Sequence, residues 1–135
     1  MVKHHGVPFL EKKQTSLVVN KSNVNDIRSS FSVSDSWSHR VVNTESNSAT
    51  VIHQQPGEGN RRHYHPDWNE WWYIIDGEWI WEIDGEKKLI KKDDIVFIPK
   101  GMPHRIEATG TKPAIRLAVS REDVVHVYPD GDSTN

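Results

Sequence analysis

From Trp37 onward the chain alternates apolar and polar positions in short runs broken by turn residues, the pattern of half-buried strands. In Glu78-Trp79-Ile80-Trp81-Glu82-Ile83, the residues Trp79, Trp81 and Ile83 share one face and the two glutamates share the other. Carboxylates prefer water, so this register turns Trp79 and Trp81 inward. By the same alternation Glu70 shares a face with Trp72 and Ile74, while Trp71 and Tyr73 take the opposite one. The pattern predicts strands near 37–43, 49–55, 70–76, 78–83, 86–91, 94–98, 103–108, 113–119 and 123–128. Asp76-Gly77 and Asp84-Gly85 read as hairpin turns, and Pro56-Gly57 and Pro129-Asp130-Gly131 as further turns. Residues 1–36 differ in character. They are rich in Ser, Asn and Lys, with one short candidate helix from Asn23 to Phe31 and an apolar trio at Leu17-Val18-Val19. The expected organisation is an arm over 1–36, an all-β domain over 37–130 and a tail over 131–135. Many short antiparallel strands in one domain make a sandwich or a barrel.

Composition narrows the function classes. The 135 residues suffice for one domain with its own core. A net charge of -2 and an isoelectric point near 6.4 give no electrostatic case for nucleic acid or an anionic membrane. No apolar run approaches the roughly 18 residues a membrane-spanning helix needs. The first residues, MVKHHGVPFLEKKQ, lack the sustained apolar stretch of a signal peptide, so a cytoplasmic protein is expected. The absence of cysteine rules out disulfides and thiolate ligands.

The chemistry concentrates in Pro56 to Gly77 and in His104. His63 and His65 alternate on one face of an extended segment, so both imidazoles can reach one ion while Tyr64 points away. Pro66-Asp67-Trp68-Asn69 can turn the chain back and present Glu70 from the next strand. His104, in the segment PKGMPH, supplies a fourth group. Imidazoles with one carboxylate suit a divalent transition metal: iron, manganese, nickel, zinc or copper. The remaining histidines, His4, His5, His39, His53 and His126, show no such pattern and read as surface or strand-packing residues.

These residues resemble the cupin family. The first cupin signature, Gly-x5-His-x-His-x4-Glu-x6-Gly, is matched throughout by Gly57, His63, His65, Glu70 and Gly77. The second, Gly-x5-Pro-x-Gly-x2-His-x3-Asn, is matched by Pro99, Gly101 and His104. Asp93 stands for its glycine and Ala108 for its asparagine. The resemblance implies a jelly-roll barrel binding one divalent metal per chain through His63, His65, Glu70 and His104. It also implies a homodimer, with the arm packed on or swapped with the partner subunit. Five of the six tryptophans lie between Trp68 and Trp81, beside these ligands. Trp72, Trp79 and Trp81 are the expected walls of a substrate pocket, and Arg61, which shares a face with His63, its expected anion anchor. Arg105 points opposite to His104 and is set aside. Such a site implies a metal-dependent enzyme, with iron(II) the favoured ion, acting as a dioxygenase on a small aromatic or carboxylic substrate. The segment EWWY is similar to one in hydroxyanthranilate-type dioxygenases, whose ligand spacing differs. A metal-dependent lyase or isomerase is the first alternative, and a non-catalytic ligand-binding or sensor module the second.

Overall fold

Alternation of apolar residues on a chain too short in each run for helices gives eight antiparallel strands. The computed structural model describes residues 20–121 and 125–130. One helix, α1 (Val24–Ser29), precedes β1 (Trp37–Asn43), β2 (Ser48–Gln54), β3 (Glu70–Asp76), β4 (Glu78–Ile83), β5 (Glu86–Lys91), β6 (Ile95–Ile98), β7 (His104–Thr109) and β8 (Ala114–Ser120). A five-stranded sheet runs β1-β2-β8-β3-β6 and faces a three-stranded sheet β5-β4-β7. Sequence neighbours β3 and β4 thus belong to different sheets, the crossing pattern of a jelly roll. Asp84-Gly85 closes the β4–β5 hairpin with both residues at positive φ, 52° and 83°, as a two-residue turn with the twist of its strands requires. Asp93, where the second signature expects glycine, also takes a positive φ of 75°, which aspartate tolerates.

Between the sheets Trp72, Ile74, Trp79, Trp81, Ile90, Val96, Ile98 and Ile106 form the main core. The inward orientation expected of Trp72, Trp79 and Trp81 is observed, each at most 4% exposed. A second apolar cluster lies on the other face of the large sheet, where Trp37, Val51 and Ile115 are covered by Ile27 and Phe31. The helix that brings Ile27 there is short. Asn23 caps it by accepting a hydrogen bond from the Asp26 amide at 3.1 Å. Its stability comes from docking, since one and a half turns do not persist alone. Phe31, Trp37 and His53 stack in sequence, with ring centroids 4.5 and 5.0 Å apart.

Predicted strand limits agree with the structure or differ by one residue, apart from the last. Over the expected 123–128 strand, residues 122–124 lie outside the described residues. The remainder makes a single bridge, Val127 with Tyr64, in place of a strand. Leu17-Val18-Val19 and the 131–135 tail also lie outside the described residues. No helix among the described residues is long and apolar enough to cross a membrane.

Candidate metal centre

Four chain segments converge at one end of the barrel. His63 lies opposite His104 in an antiparallel bridge, each residue's amide donating to the other's carbonyl at 3.0 and 2.8 Å. Tyr64 faces away, as the alternation requires, and its backbone pairs with Val127 through two hydrogen bonds of 2.9 Å. The His65 carbonyl accepts from Gly101, and the Asn69 side chain accepts from the Lys100 amide at 2.8 Å. The turn before Glu70 is thereby fastened to the PKGMPH segment. Glu70 and His104 are the first residues of β3 and β7. The His63 ring centroid is 4.9 Å from that of His65 and 4.4 Å from that of His104. One ligand atom from each of His65, Glu70 and His104 lies within 4.8 Å of the others.

The hydrogen bonds fix which nitrogen of each ring faces that space. Nδ1 of His63 contacts the Arg61 carbonyl at 2.7 Å, Nδ1 of His65 the Val125 carbonyl at 3.1 Å, and Nδ1 of His104 the Met102 carbonyl at 2.9 Å. A carbonyl only accepts, so each Nδ1 carries the proton and each neutral ring keeps its Nε2 lone pair free. Nε2 of His104 and of His65 are buried without a hydrogen-bond partner. Glu70 Oε1 stands 2.9 Å from His65 Nε2. Two donors each about 2.1 Å from an ion and at right angles would lie about 3.0 Å apart, so this contact fits adjacent ligands of one metal. Glu70 Oε2 is already taken, accepting from Trp72 Nε1 at 2.7 Å. Oε1 is left to face the imidazoles.

The electrostatics point the same way. Burial, then repulsion from His104 and His126, holds His63 well below the usual histidine range. Burial also lowers His104. Both rings therefore stay neutral, the form that binds metal. Burial opposes charge on His65 as well, but its contact with Glu70 outweighs that and raises its pKa. Burial would raise Glu70, yet His65 and the Trp72 hydrogen bond outweigh it, and its pKa falls. The donor set, two rings held neutral, a third ring against the carboxylate and one ionised carboxylate, fits a divalent transition ion.

The expected pocket residues are placed unequally. The Trp81 and Trp72 rings lie 5.6 and 6.3 Å from that of His104, and they meet edge to face at 5.0 Å. Trp79 pairs with Ala108, while His104 pairs with Ile83, so Trp79 sits further from the metal end of the barrel. Arg61 stands beside the site across Tyr128: its guanidinium lies 4.0 Å from that ring, which is 6.0 Å from His63. It also lines an open groove of about 520 Å³ with Arg62, Arg105 and Asp130. His126 corrects the sequence reading. Expected to lack partners, it lies 4.7 Å from the His63 ring and 4.7 Å from the His65 ring, with a ligand atom within 4.8 Å of theirs. The signal was the alternation of Val125 and Val127 with His126 and Tyr128, which puts the last two on one face. Only pairing with Tyr64 shows which way that face turns.

Known proteins agree with this architecture. Over 63 residues the chain is 36% identical to the tetracenomycin polyketide synthase protein TcmJ of Streptomyces glaucescens, covering 47% of this chain and 42% of that protein. Over 96 residues it is 26% identical to the oxalate decarboxylase OxdC of Bacillus subtilis, covering 67% of this chain and 24% of that protein. The chain thus spans less than half the length of either relative. A solved double-stranded β-helix protein of Klebsiella pneumoniae superposes with a TM-score of 0.68 at 23% identity, covering 82% of this chain and 96% of that one, a likeness of fold. The family model of the cupin domain matches residues 50–120, which hold most of β2, all of β3 to β8 and all four expected ligands, and the chain belongs to the cupin family.

Proposed function

We propose that this protein is a metal-dependent enzyme acting on a small organic molecule, with its divalent ion held by His63, His65, Glu70 and His104. One observation carries the reading: each of these three imidazoles engages a backbone carbonyl through Nδ1, and His65, His104 and the buried Glu70 bring one ligand atom each within 4.8 Å of the others. When bound, a divalent ion supplies a Lewis acid for a substrate oxygen, and iron(II) also supplies reactivity toward O2. The chain's residues do the rest. Trp72 holds Glu70 with one oxygen toward the histidines. Trp72 and Trp81 wall the site on the core side and exclude water from it. The relatives' names, from polyketide synthesis and oxalate decarboxylation, favour non-oxidative chemistry of the lyase or isomerase kind. The iron(II) dioxygenase expected from the ligand set is the second reading, and O2 consumption separates the two.

The test is metal content by elemental analysis of protein purified without added metal, with His104→Ala alongside. About one ion per chain, lost in the variant, supports the site. A wild-type protein that stays metal-free after incubation with zinc, manganese and iron(II) salts overturns it. We also propose that the protein is a homodimer joined through the outer face of β3 and β6. Trp71, Ile95 and Phe97 are 42%, 70% and 58% exposed there, and Trp71 pairs with Phe97 across the two strands. Light scattering that returns the mass of a single chain would refute the dimer.

A further inference from the structure

The barrel interior holds a buried cation that the metal centre does not use. Arg116, in the middle of β8, is 4% exposed. Its Nη1 donates to Gln54 Oε1 at 2.7 Å, and its guanidinium lies 4.8 and 4.5 Å from the rings of Trp72 and Trp79. Its Nε is sealed from solvent and has no acceptor. Burial pulls its pKa down to about 10, which still leaves it charged at neutral pH. Glu70 is the opposite charge that acts on it, and its two oxygens already face His65 and Trp72. Leaving a buried guanidinium with so few acceptors is costly unless something else comes to it.

The charge balance makes that partner an anion. Among the described residues Glu70 is the only buried carboxylate. With a divalent ion at the histidines, the ion and Arg116 together outweigh Glu70 by two positive charges. Both centres border the same inner face of the large sheet. On the inner face β2 and β8 contribute Thr50, Ile52, Ala118 and Ser120, small beside the tryptophans of the opposite wall. Ile52, Ala118 and Ser120 face inward and yet stay partly exposed. Ala118 lies opposite Trp72, and Arg116 lies opposite Ile74, one inward position further from Glu70. A molecule entering past Ala118 meets the guanidinium along the Trp72 face. Arg40, opposite Thr50, shares this inner wall.

We infer that the substrate carries a carboxylate, and that Arg116 is the specificity residue that reads it. This rests on the metal-enzyme reading, which sets the second positive charge. Two N–H donors of a guanidinium match the two oxygens of a carboxylate, a fit that no neutral amide of the same shape reproduces. The test is a tryptophan-fluorescence titration of zinc-loaded protein, with acetate and benzoate against acetamide and benzamide. Trp72 and Trp79, in contact with Arg116, are the reporters. Wild-type protein should bind at least one carboxylate at least tenfold more tightly than its amide. Arg116→Gln should abolish that preference with zinc content unchanged, and Arg116→Lys should retain part of it. Equal binding of acid and amide by wild-type protein, or an undiminished preference in Arg116→Gln, overturns the inference. The wild-type comparison needs no variant to fold. If the protein takes up no zinc, the metal reading fails separately, and the same titration on metal-free protein decides Arg116: a retained preference for the acid supports it and equal binding refutes it.

Discussion

Replacing Trp72 with phenylalanine isolates one hydrogen bond. The indole Nε1 donates to Glu70 Oε2 at 2.7 Å in a buried setting, and phenylalanine keeps most of the apolar bulk while deleting the donor. A hydrogen bond to a charged group is worth about 1.5–3 kcal/mol, and about 1.4 kcal/mol is a factor of ten. If the bond serves to aim Glu70, Trp72→Phe should weaken metal binding by roughly 10- to 100-fold, the range typical of a ligand's supporting partner. Zinc affinity measured by competition with a chromophoric chelator reads this directly. The smaller ring also leaves a void, which lowers the stability of the metal-free protein whatever Glu70 does. A double-mutant cycle removes that ambiguity: in a Glu70→Gln background, Trp72→Phe should cost little further metal affinity. An affinity within twofold of wild type, or equal losses in both backgrounds, would refute the positioning role.

Three further outcomes follow from the geometry. His126→Ala should lower zinc affinity by roughly tenfold or less, well short of the loss in His104→Ala, because His126 is exposed on a segment held to Tyr64 by one pair of backbone hydrogen bonds; chelator competition on both variants ranks them, and equal losses would make His126 a principal ligand. In metal-free protein the raised pKa of His65 means its pairing with Glu70 contributes stability fully present below the unfolded histidine value and lost as pH rises through the folded one. The lowered pKa of Glu70 ends that contribution on the acid side, as pH falls through its folded value. Zinc needs the neutral His65 ring, so the rise in melting temperature on adding zinc should shrink between about pH 8 and about pH 6, and a constant rise would remove His65 from the ligand set. Gly59→Ala should destabilise the fold by about 1–3 kcal/mol in urea, since a Cβ there would lie 1.9 Å from the Ile106 carbonyl oxygen; unchanged stability would show that the strand crossing has room to move.

The parts legible in the sequence were those decided by neighbours along the chain. Alternation turned Trp79, Trp81 and Trp72 inward, and the spacing of His63, His65 and Glu70 brought them together without knowledge of the fold. His126 was hidden because its position depends on Val127 pairing with Tyr64, a contact between distant segments. Arg116 was hidden for a different reason. Alternation around it offers Ile115 and Leu117 as the apolar face, which argues for turning Arg116 to solvent. The large sheet is covered on both faces, however. Ile115 and Leu117 pack with Trp37, beside Ile27 and Phe31, and Arg116 is left facing in. A two-sided sheet defeats the rule that polar residues point out.

On the proposed reading, that two-sided burial also bears on how one small barrel would hold a metal centre and a substrate beside it. The proposed ligands would have to be fixed within fractions of an ångström, and Glu70 and His104 border Trp72, Trp81, Ile98 and Ile106, all close to fully buried. In the same sheet as Trp72 and Ile98, β2 and β8 carry the smaller Thr50 and Ala118, with Ala118 paired directly with Trp72. A thin wall with nothing behind it would be unstable in so small a domain. Here its support comes from outside, where Trp37, Val51 and Ile115 pack beneath Ile27 and Phe31. The segment carrying α1 and Phe31 therefore stabilises the part of the barrel whose inner face carries the smaller side chains. Sequence changes that lighten the inner wall for a larger substrate should be tolerated only while that outer layer stays docked.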